Sequence, residues 1–527
     1  MGKEAVQTPS ARNNQAIRFW LLALFGGGGL VISFATATGF LTPPSGLSAE
    51  GFMVFGIMLT MAAAWILEAM PFAATALLPL ILLPLLGISG AKTVAKSYAN
   101  STILLFMGGF FLAKGLERWQ VPQVIARRVE RLTSGSPMTL LFGISGITAL
   151  LSMWLSNTAT TLIMVTVAEA ALQRARQVPE NRATDLERYR LALLLGVAYS
   201  ANLGGMATPV GTAPNLLFLS LRKELEPGAA AISFVEWMVL TLPFVLVMVP
   251  LITFLLAKVL SPFSRDLRLG ADDGGEANQL SPTGRNALVI FGMTVLLWVW
   301  RADLDLGIVK VPGWAGLLGL HKIVDDSTVA ILGATCMFLW PVSSRDLSAP
   351  QSRDLPTGVT SWLQRERLLT WDVANQIPWY LLLLFGGGLA LADAFSSTGL
   401  SAWMGQQLVG LQGAPTWLLV GILCLGMSLL TEVTSNTATT TLILPVLFAA
   451  APALGLPPIL LMWPATLCAS AAFILPVSTP PNAIVAGAGP IRPMEMAKVG
   501  VWCNLLAVLL VTLLTMFWLV PRMGLTG

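Results

Sequence analysis

The chain has 527 residues, of which 55% are hydrophobic and only 11% are charged, whereas soluble domains carry about 25% charged residues. Its formal net charge of +4 is spread over many loops, so no nucleic acid partner is expected. Apolar runs such as 233–260 and 499–520 are long enough to cross about 30 Å of hydrocarbon at 1.5 Å per residue. The composition excludes a soluble domain and predicts an all-α polytopic protein surrounded by membrane lipid.

Eleven membrane crossings are predicted in chain order, with the first one entering from the cytoplasm. They lie near residues 18–40, 51–68, 72–88, 101–119, 191–221, 233–260, 287–300, 328–342, 379–398, 460–487 and 499–520. This topology places 23 of the 31 basic residues on the cytoplasmic side and 8 outside. Because cytoplasmic loops carry an excess of Lys and Arg, we expect a multi-pass protein of the cell inner membrane with a cytoplasmic N-terminus.

A repeated hexapeptide divides the chain into two halves. Residues 156–161 read SNTATT, and residues 435–440 repeat these letters 279 positions later. PVGTAPN at 209–215 is then matched by PVSTPPN at 476–482, 267 positions later. Matched motifs in the same order predict two structural repeats. The expected domains are a cytoplasmic N-terminus with the first helix (1–50), the first repeat (51–260), a cytoplasmic linker (261–286) and the second repeat (287–527).

Short apolar arms flank the first hexapeptide. The arms 140–155 and 162–172 are too short for two crossings of about 20 residues each. They predict a re-entrant helical hairpin at 137–172, and the repeat predicts a second hairpin at 415–450. Basic loops border the first hairpin and uncharged segments border the second, so the first is expected to face the cytoplasm and the second to face outward. Inverted repeats of this kind are common in transporters.

Pro and Gly residues interrupt one predicted crossing in each half, at 208–215 and at 477–482. A proline removes a backbone donor and clashes with the preceding helical turn, so a break near mid-membrane is expected in both crossings. Each half would then present a hairpin tip to an interrupted helix. Helix N-termini at such a site attract an anion, and the freed carbonyls can coordinate a cation.

Cationic side chains are missing from these elements. The stretches 136–168, 191–221, 411–431 and 433–491 contain no Arg, Lys or His. A dianion without a cationic partner is costly in a poorly solvated site, so a mobile cation must supply positive charge. Ser, Thr, Asn and carbonyl oxygens suit a hard cation such as Na⁺, which predicts that sodium and an anion bind together.

Enzyme activity is not expected. The single histidine, His321, lies in a predicted external loop, so a membrane serine protease would lack its base. No phosphate-binding loop of an ATP-driven pump is present.

The segments SMWLSNTATT, ATPVGTAPN, TEVTSNTATTT and LPVSTPPNAIV resemble the divalent anion/sodium symporters, the INDY-type carriers of dicarboxylates, citrate and sulfate, and the likeness covers nearly the whole chain. The resemblance implies sodium-coupled symport of C4-dicarboxylates (succinate, malate, fumarate) by alternating access. It also implies a homodimer in which each protomer has a scaffold and a mobile transport domain. A dicarboxylate or citrate exchanger, a sodium/sulfate symporter and a passive anion channel stay open as alternatives.

The resemblance also implies which residues bind each ligand. The sodium ligands would be Ser152, Ser156, Asn157 and Gly211 in one site and Thr431, Thr434, Asn436 and Ser478 in the other. The substrate would contact Ser156, Asn157, Thr158, Thr212, Ser435, Asn436, Thr437, Thr479 and Pro480.

Glu432, beside the second hexapeptide, has two interpretations. It either accepts hydrogen bonds from backbone groups and so holds the hairpin, or it places a negative charge next to the cation. The first interpretation is preferred.

Overall fold

The computed structural model describes most of the chain between residues 26 and 525. The described residues are 26–133, 136–174, 183–226, 228, 232–260, 262–263, 279–305, 310–343, 346, 365–407, 410, 412–489 and 491–525. They fold almost entirely into helices, so the predicted all-α fold class is confirmed. Within them, the strands form one short antiparallel pair, Leu304–Asp305 with Lys310–Val311. The expected N-terminal segment up to residue 25 and most of the linker 261–286 lie outside the described residues.

Twelve described helices belong to the first half of the chain. They are α1 (Gly27–Ala37), α2 (Ala49–Ile66), α3 (Phe72–Ala76), α4 (Leu78–Leu85), α5 (Ala91–Ser97), α6 (Ser101–Arg118), α7 (Val121–Thr133), α8 (Pro137–Ser152), α9 (Asn157–Arg174), α10 (Ala183–Met206), α11 (Ala213–Leu225) and α12 (Phe234–Leu255), which a π-helical turn (Leu256–Leu260) extends.

Twelve more follow in the second half. They are α13 (Pro282–Val299), α14 (Trp314–Leu317), α15 (Asp326–Leu339), α16 (Trp371–Ala374), α17 (Trp379–Ser397), α18 (Leu400–Gln406), α19 (Thr416–Val433), α20 (Asn436–Ala453), α21 (Ile459–Ser470), α22 (Pro480–Ala488), α23 (Pro493–Leu514) with a π-helical turn (Thr515–Leu519), and α24 (Val520–Arg522).

Seven of the described helices are long and apolar enough to cross a membrane, or eight if α5 and α6, bent by 41°, count as one span. Five of the seven (α2, α12, α13, α17 and α23) coincide with predicted crossings, and the other two are the arms of the second hairpin, α19 and α20. The remaining predicted crossings contain the bent pair, shorter helices or interrupted ones. The chain is therefore a polytopic membrane protein, and the count of eleven crossings stays a prediction.

Each predicted hairpin is a pair of helices that meets at the repeated hexapeptide. The first begins at Pro137, where Ser136 and Thr139 form a reciprocal capping box that satisfies free backbone donors. Its second arm was expected to start at Leu162, which is wrong: α9 already starts at Asn157 and has 18 residues. The threonines of the motif do not stop the helix, because Thr161 Oγ1 donates back to the Asn157 carbonyl at 2.7 Å.

Both arms of the second hairpin also have 18 residues. Their length and composition alone would allow two full crossings. The re-entrant geometry and the opposite orientation of the two hairpins therefore stay predictions.

Two helices form the centre of the molecule. In α10, most side chains from Tyr189 to Met206 are fully buried, and in α21 every residue from Ile459 to Ser470 is buried. A helix that is apolar on all sides either faces lipid or is packed inside the protein, and the burial of α10 and α21 shows that these two are packed inside. The arms of the first hairpin and α22 pack against α10, and the arms of the second hairpin and α11 pack against α21.

Candidate ion and substrate site

The tip of the first hairpin is docked onto α10. The hydroxyl of Ser152, the last residue of α8, lies 2.9 Å from Asn157 Oδ1 and 2.7 Å from the Ala201 carbonyl. The Asn157 amide lies against Gly205, where an added Cβ would collide with Asn157 Oδ1. This close approach requires glycine, and it joins two predicted sodium ligands, Ser152 and Asn157, to the last turn of α10.

Side chains hold the interruption between α10 and α11 open. Asn215 Nδ2 donates to the carbonyls of Gly205 and Thr208 at 3.0 and 2.8 Å. Trp237 Nε1, on α12, donates to the Met206 carbonyl at 3.1 Å. Helix carbonyls without intrahelical partners must be satisfied in this way when no water is available. The predicted break at 208–215 is confirmed, and its carbonyls are partly paired.

Gly211, a predicted sodium ligand, lies next to the docked tip. It packs so closely on Gly205 that an added Cβ would collide with the Gly205 carbonyl. Gly205 therefore touches both Asn157 and Gly211. Asn157 and Gly211 thus meet at one glycine, and Ser152 is linked to them through its bond to Asn157.

The second hairpin tip repeats these contacts. The hydroxyl of Thr431 lies 2.7 Å from Asn436 Oδ1 and 2.7 Å from the Ala469 carbonyl. Thr431 and Asn436 stand 279 positions after their counterparts in the first tip. The sequence repeat is thus also a structural repeat.

The second interruption, between α21 and α22, is built like the first. Asn482 Nδ2 donates to the carbonyls of Ala472 and Leu475 at 3.0 and 3.1 Å. Each of these three residues lies 267 positions after its counterpart at the first break. The break was predicted at 477–482, but α21 already ends at Ser470, so the interruption begins earlier than predicted.

Glu432 accounts for the longer second interruption. Its Oε1 accepts hydrogen bonds from the backbone N–H groups of Phe473 and Ile474 at 2.8 and 3.0 Å and from Asn504 Nδ2 at 2.7 Å, and its Oε2 accepts from Leu475 N at 3.0 Å. The preferred interpretation, that Glu432 bonds to the backbone, is confirmed. These backbone groups belong to the interrupted helix, so Glu432 connects the second hairpin to that helix.

We predict that Glu432→Gln destabilises the protein without changing its sodium requirement. All four partners of the carboxylate are donors, so the glutamine NH₂ must face one of them, and an unpaired buried donor costs about 1–3 kcal/mol. Thermal unfolding in detergent should show a lower melting temperature at every sodium concentration. Glu169→Gln is the matched control, because Glu169 forms a partly exposed ion pair with Arg190 at 3.0 Å, and such pairs contribute little. An unchanged melting temperature with a large rise in the sodium needed for half-maximal uptake would favour a charge next to the cation.

The hydroxyl groups of three predicted sodium ligands use their protons within the protein. Ser152 and Thr431 point theirs at amide and carbonyl oxygens, as described above, and Ser478 donates to the Leu475 carbonyl at 2.6 Å. A hydroxyl has one proton and two acceptor positions. These three oxygens therefore retain lone pairs, which are the groups that bind a hard cation.

The other predicted residues differ in their contacts. Thr434 donates to the Leu430 carbonyl at 2.7 Å, and Ser156 Oγ accepts from Ala159 N at 3.2 Å. Pro480 is exposed and is the first residue of α22. Among the described residues, no side-chain hydrogen bond is made by Thr158, Thr212, Ser435 and Thr437. The roles of all these residues stay predictions.

Four helices start at the predicted site. The motif asparagines Asn157 and Asn436 begin α9 and α20, while α11 and α22 begin directly after Thr212 and Thr479. The N-terminus of a helix carries partial positive charge and free N–H groups. The arrangement can therefore stabilise an anion although no basic side chain is part of it.

Sequence reasoning did not identify the residues that hold the two breaks. Asn215 and Asn482 close the matched PVxTxPN motifs, so their repetition was a signal for a shared structural role. Trp237 and Asn504 also stand 267 positions apart, and both bond to the backbone of a break: Trp237 donates to the Met206 carbonyl, whereas Asn504 Oδ1 accepts from Phe473 N at 3.0 Å. The two residues are of different types, so the sequence alone does not reveal that they occupy equivalent positions.

Two symmetry-related helical hairpins, each docked on an interrupted helix within a polytopic all-helical chain, define a membrane transporter rather than an enzyme. The model of the citrate transporter family matches residues 62–465. The sodium-dependent dicarboxylate transporter SdcS of Staphylococcus saprophyticus is 34% identical over 493 residues, which are 92% of this chain and 89% of that protein. SdcS of Staphylococcus aureus (strain USA300) is 35% identical over 487 residues, covering 91% and 88%. The chain therefore belongs to the citrate transporter family of divalent anion/sodium symporters, which confirms the resemblance carried by its motifs.

Two solved structures share the fold. The YdaH transporter of Alcanivorax borkumensis superimposes with a TM-score of 0.55 at 14% identity, covering 97% of this chain and 98% of that one. MtrF of Neisseria gonorrhoeae gives a TM-score of 0.55 at 14% identity, covering 96% and 97%. At this identity the likeness concerns the fold alone.

Proposed function

We propose that this protein is a secondary active transporter that couples the sodium gradient to the symport of C4-dicarboxylates such as succinate, malate and fumarate. The observation that carries the proposal is the paired arrangement of Asn157 and Asn436. In both, Oδ1 faces a hydroxyl of the preceding helix, while the amide NH₂ donates to no described residue. Each amide can therefore bind a cation through Oδ1, which lies beside the hydroxyl, and donate two hydrogen bonds to an anion through its NH₂ group.

Charge balance supports sodium coupling. A dicarboxylate at the two tips would meet helix N-termini and amide donors, and the stretches that form the tips contain no basic residue. The nearby Arg190 is engaged by Glu169 at 3.0 Å and lies 3.4 Å from the Ala488 carbonyl. Two sodium ions, one at the site that contains Ser152 and one at the site that contains Thr431, would neutralise the dianion. The relatives named sodium-dependent dicarboxylate transporters agree with this assignment.

The finer assignment follows from the predicted ligands. One sodium ion is bound by Ser152, Ser156, Asn157 and a carbonyl near Gly211, and the other by Thr431, Asn436 and carbonyls near Thr434 and Ser478. The anion is bound by the two SNT segments together with Thr212, Thr479 and Pro480. The protein works as a homodimer in the lipid of the inner membrane, with the N-terminus in the cytoplasm. Alternating access then exposes the hairpin pair to one side at a time.

Uptake of radiolabelled succinate into proteoliposomes tests the proposal. Uptake should require an inward sodium gradient and should fall to background when choline replaces sodium, because the dianion then has no counter-charge in the site. Unlabelled malate and fumarate should compete more strongly than sulfate. Counterflow without sodium, driven by internal succinate, would instead identify an exchanger, and uptake that does not saturate would identify a channel.

A further inference from the structure

A buried amide joins the two repeats at the predicted substrate site. Asn202, within α10, is 1% exposed. Its Nδ2 donates to Thr479 Oγ1 at 3.1 Å and lies 3.4 Å from Asn482 Oδ1. Thr479 caps the N-terminus of α22 in the opposite repeat, 277 residues further along the chain. The bond therefore connects a helix of the first half with a predicted substrate ligand of the second half.

This bond determines which hydrogen-bonding role is left to Thr479. Its Oγ1 also accepts from Asn482 N at 3.3 Å. Both acceptor positions of the hydroxyl are then filled, and only its proton remains available. Among the described residues, no acceptor for this proton is found. The neighbouring Ser478 shows the opposite pattern, because it donates its proton to the Leu475 carbonyl.

The stability of the fold does not account for Asn202. Its Oδ1 is buried and has no partner among the described residues, and such a group is unfavourable. The second repeat has no such amide. There Thr431 bonds to the Ala469 carbonyl as Ser152 bonds to Ala201, but the next residue, Ser470, has a buried hydroxyl without a partner in the described part of the chain.

We propose that Asn202 is a positioning residue that makes Thr479 a dedicated hydrogen-bond donor to a substrate carboxylate. The proposal rests on the proposed function, which assigns Thr479 to the dicarboxylate. Asn202 also follows Ala201, whose carbonyl faces the sodium ligand Ser152 at 2.7 Å. Two consecutive residues of α10 therefore contact predicted ligands of both repeats: Ala201 bonds to the sodium ligand Ser152, and Asn202 bonds to the substrate ligand Thr479.

A double-mutant cycle on purified full-length protein tests this role. Succinate affinity would be measured by equilibrium binding in saturating sodium for wild type, Asn202→Leu, Thr479→Val and the double variant. Asn202→Leu frees the one acceptor position of Thr479 that Asn202 fills, so the hydroxyl is no longer restricted to donating, and succinate binding should weaken roughly tenfold. In the Thr479→Val background, Asn202→Leu should not weaken succinate binding further, because Asn202 acts on the substrate only through the Thr479 hydroxyl, which valine lacks.

Asn202→Asp adds a diagnostic variant of the same shape. Its carboxylate would accept the Thr479 proton and withdraw it from the substrate, so the loss of affinity should equal or exceed that of Thr479→Val. The melting temperature of Asn202→Leu should not fall, and the stabilisation by sodium without succinate should match wild type. If Asn202 had only a structural role, the substitution would lower both the melting temperature and the stabilisation by sodium.

Three results would overturn the proposal. These are additive losses in the cycle, an unchanged succinate affinity in Asn202→Leu, and a loss of sodium stabilisation in that variant while wild type binds succinate normally. Wild-type protein that binds neither succinate, citrate nor sulfate would instead overturn the proposed function, and this inference with it.

Discussion

Replacing Asn157 or Asn436 with alanine should abolish sodium-driven succinate uptake while the protein still folds and inserts. Each amide faces a hydroxyl through Oδ1 and presents its NH₂ to the proposed anion. Truncation removes both roles at once, so the bound cation and the bound anion each lose a polar partner, although the Ser152 and Thr431 hydroxyls keep their bonds to the Ala201 and Ala469 carbonyls. Leaving one polar partner unpaired costs roughly 1–3 kcal/mol, which corresponds to about a ten- to hundredfold loss of affinity. Because the two tips repeat the same contacts, both variants should be affected to a similar extent.

The aspartate variants separate the two roles of these amides. Asn157→Asp and Asn436→Asp keep an oxygen for the hydroxyl and the cation but place a negative charge beside the anion. Sodium alone should still stabilise these proteins against heat, while succinate binding should be lost. Thr166→Ala is a suitable control, since Thr166 lies on the same helix α9, is exposed and bonds only to the Ile163 carbonyl. Near-normal uptake by either alanine variant would contradict a site built from both tips.

The sequence predicted the tips and breaks because their determinants are local and occur twice. Exact repetition of SNTATT and the matched PVxTxPN motifs point to equivalent positions without any knowledge of packing. Proline and glycine then mark where helices cannot continue. The same reasoning misjudged boundaries that side chains decide. The second break starts after Ser470 because Glu432 satisfies the backbone N–H groups of residues 473–475.

Contacts between the repeats were out of reach of such reasoning. Periodicity reports which face of a helix is buried, but it does not reveal which residue lies opposite. The bond from Asn202 to Thr479 joins residues that are 277 positions apart, and no motif in either segment predicts it. Gly205 is similar, since its importance becomes apparent only from the Asn157 amide that lies against it.

Sodium should raise the affinity for succinate roughly 5- to 150-fold, the range that a coupling free energy of about 1–3 kcal/mol produces. Ser152 lies 2.9 Å from Asn157 Oδ1, and Thr431 lies 2.7 Å from Asn436 Oδ1. A cation bound to these oxygens would fix the amide planes and direct both NH₂ groups toward one anion. It would also supply the positive charge that the surrounding side chains lack. Sodium is therefore expected to bind first and to complete the substrate site.

Reciprocity makes this coupling measurable from both sides. If sodium tightens succinate by a given factor, succinate must tighten sodium by the same factor. Equilibrium binding of succinate at several sodium concentrations gives one value, and sodium-dependent thermal stabilisation at several succinate concentrations gives the other. With two sodium sites, uptake should rise sigmoidally with sodium and hyperbolically with succinate. Equal succinate affinity in sodium and in choline would mean that the cation is not part of the site. The protein would then be better described as a dicarboxylate exchanger, because an exchanger binds its anion without sodium.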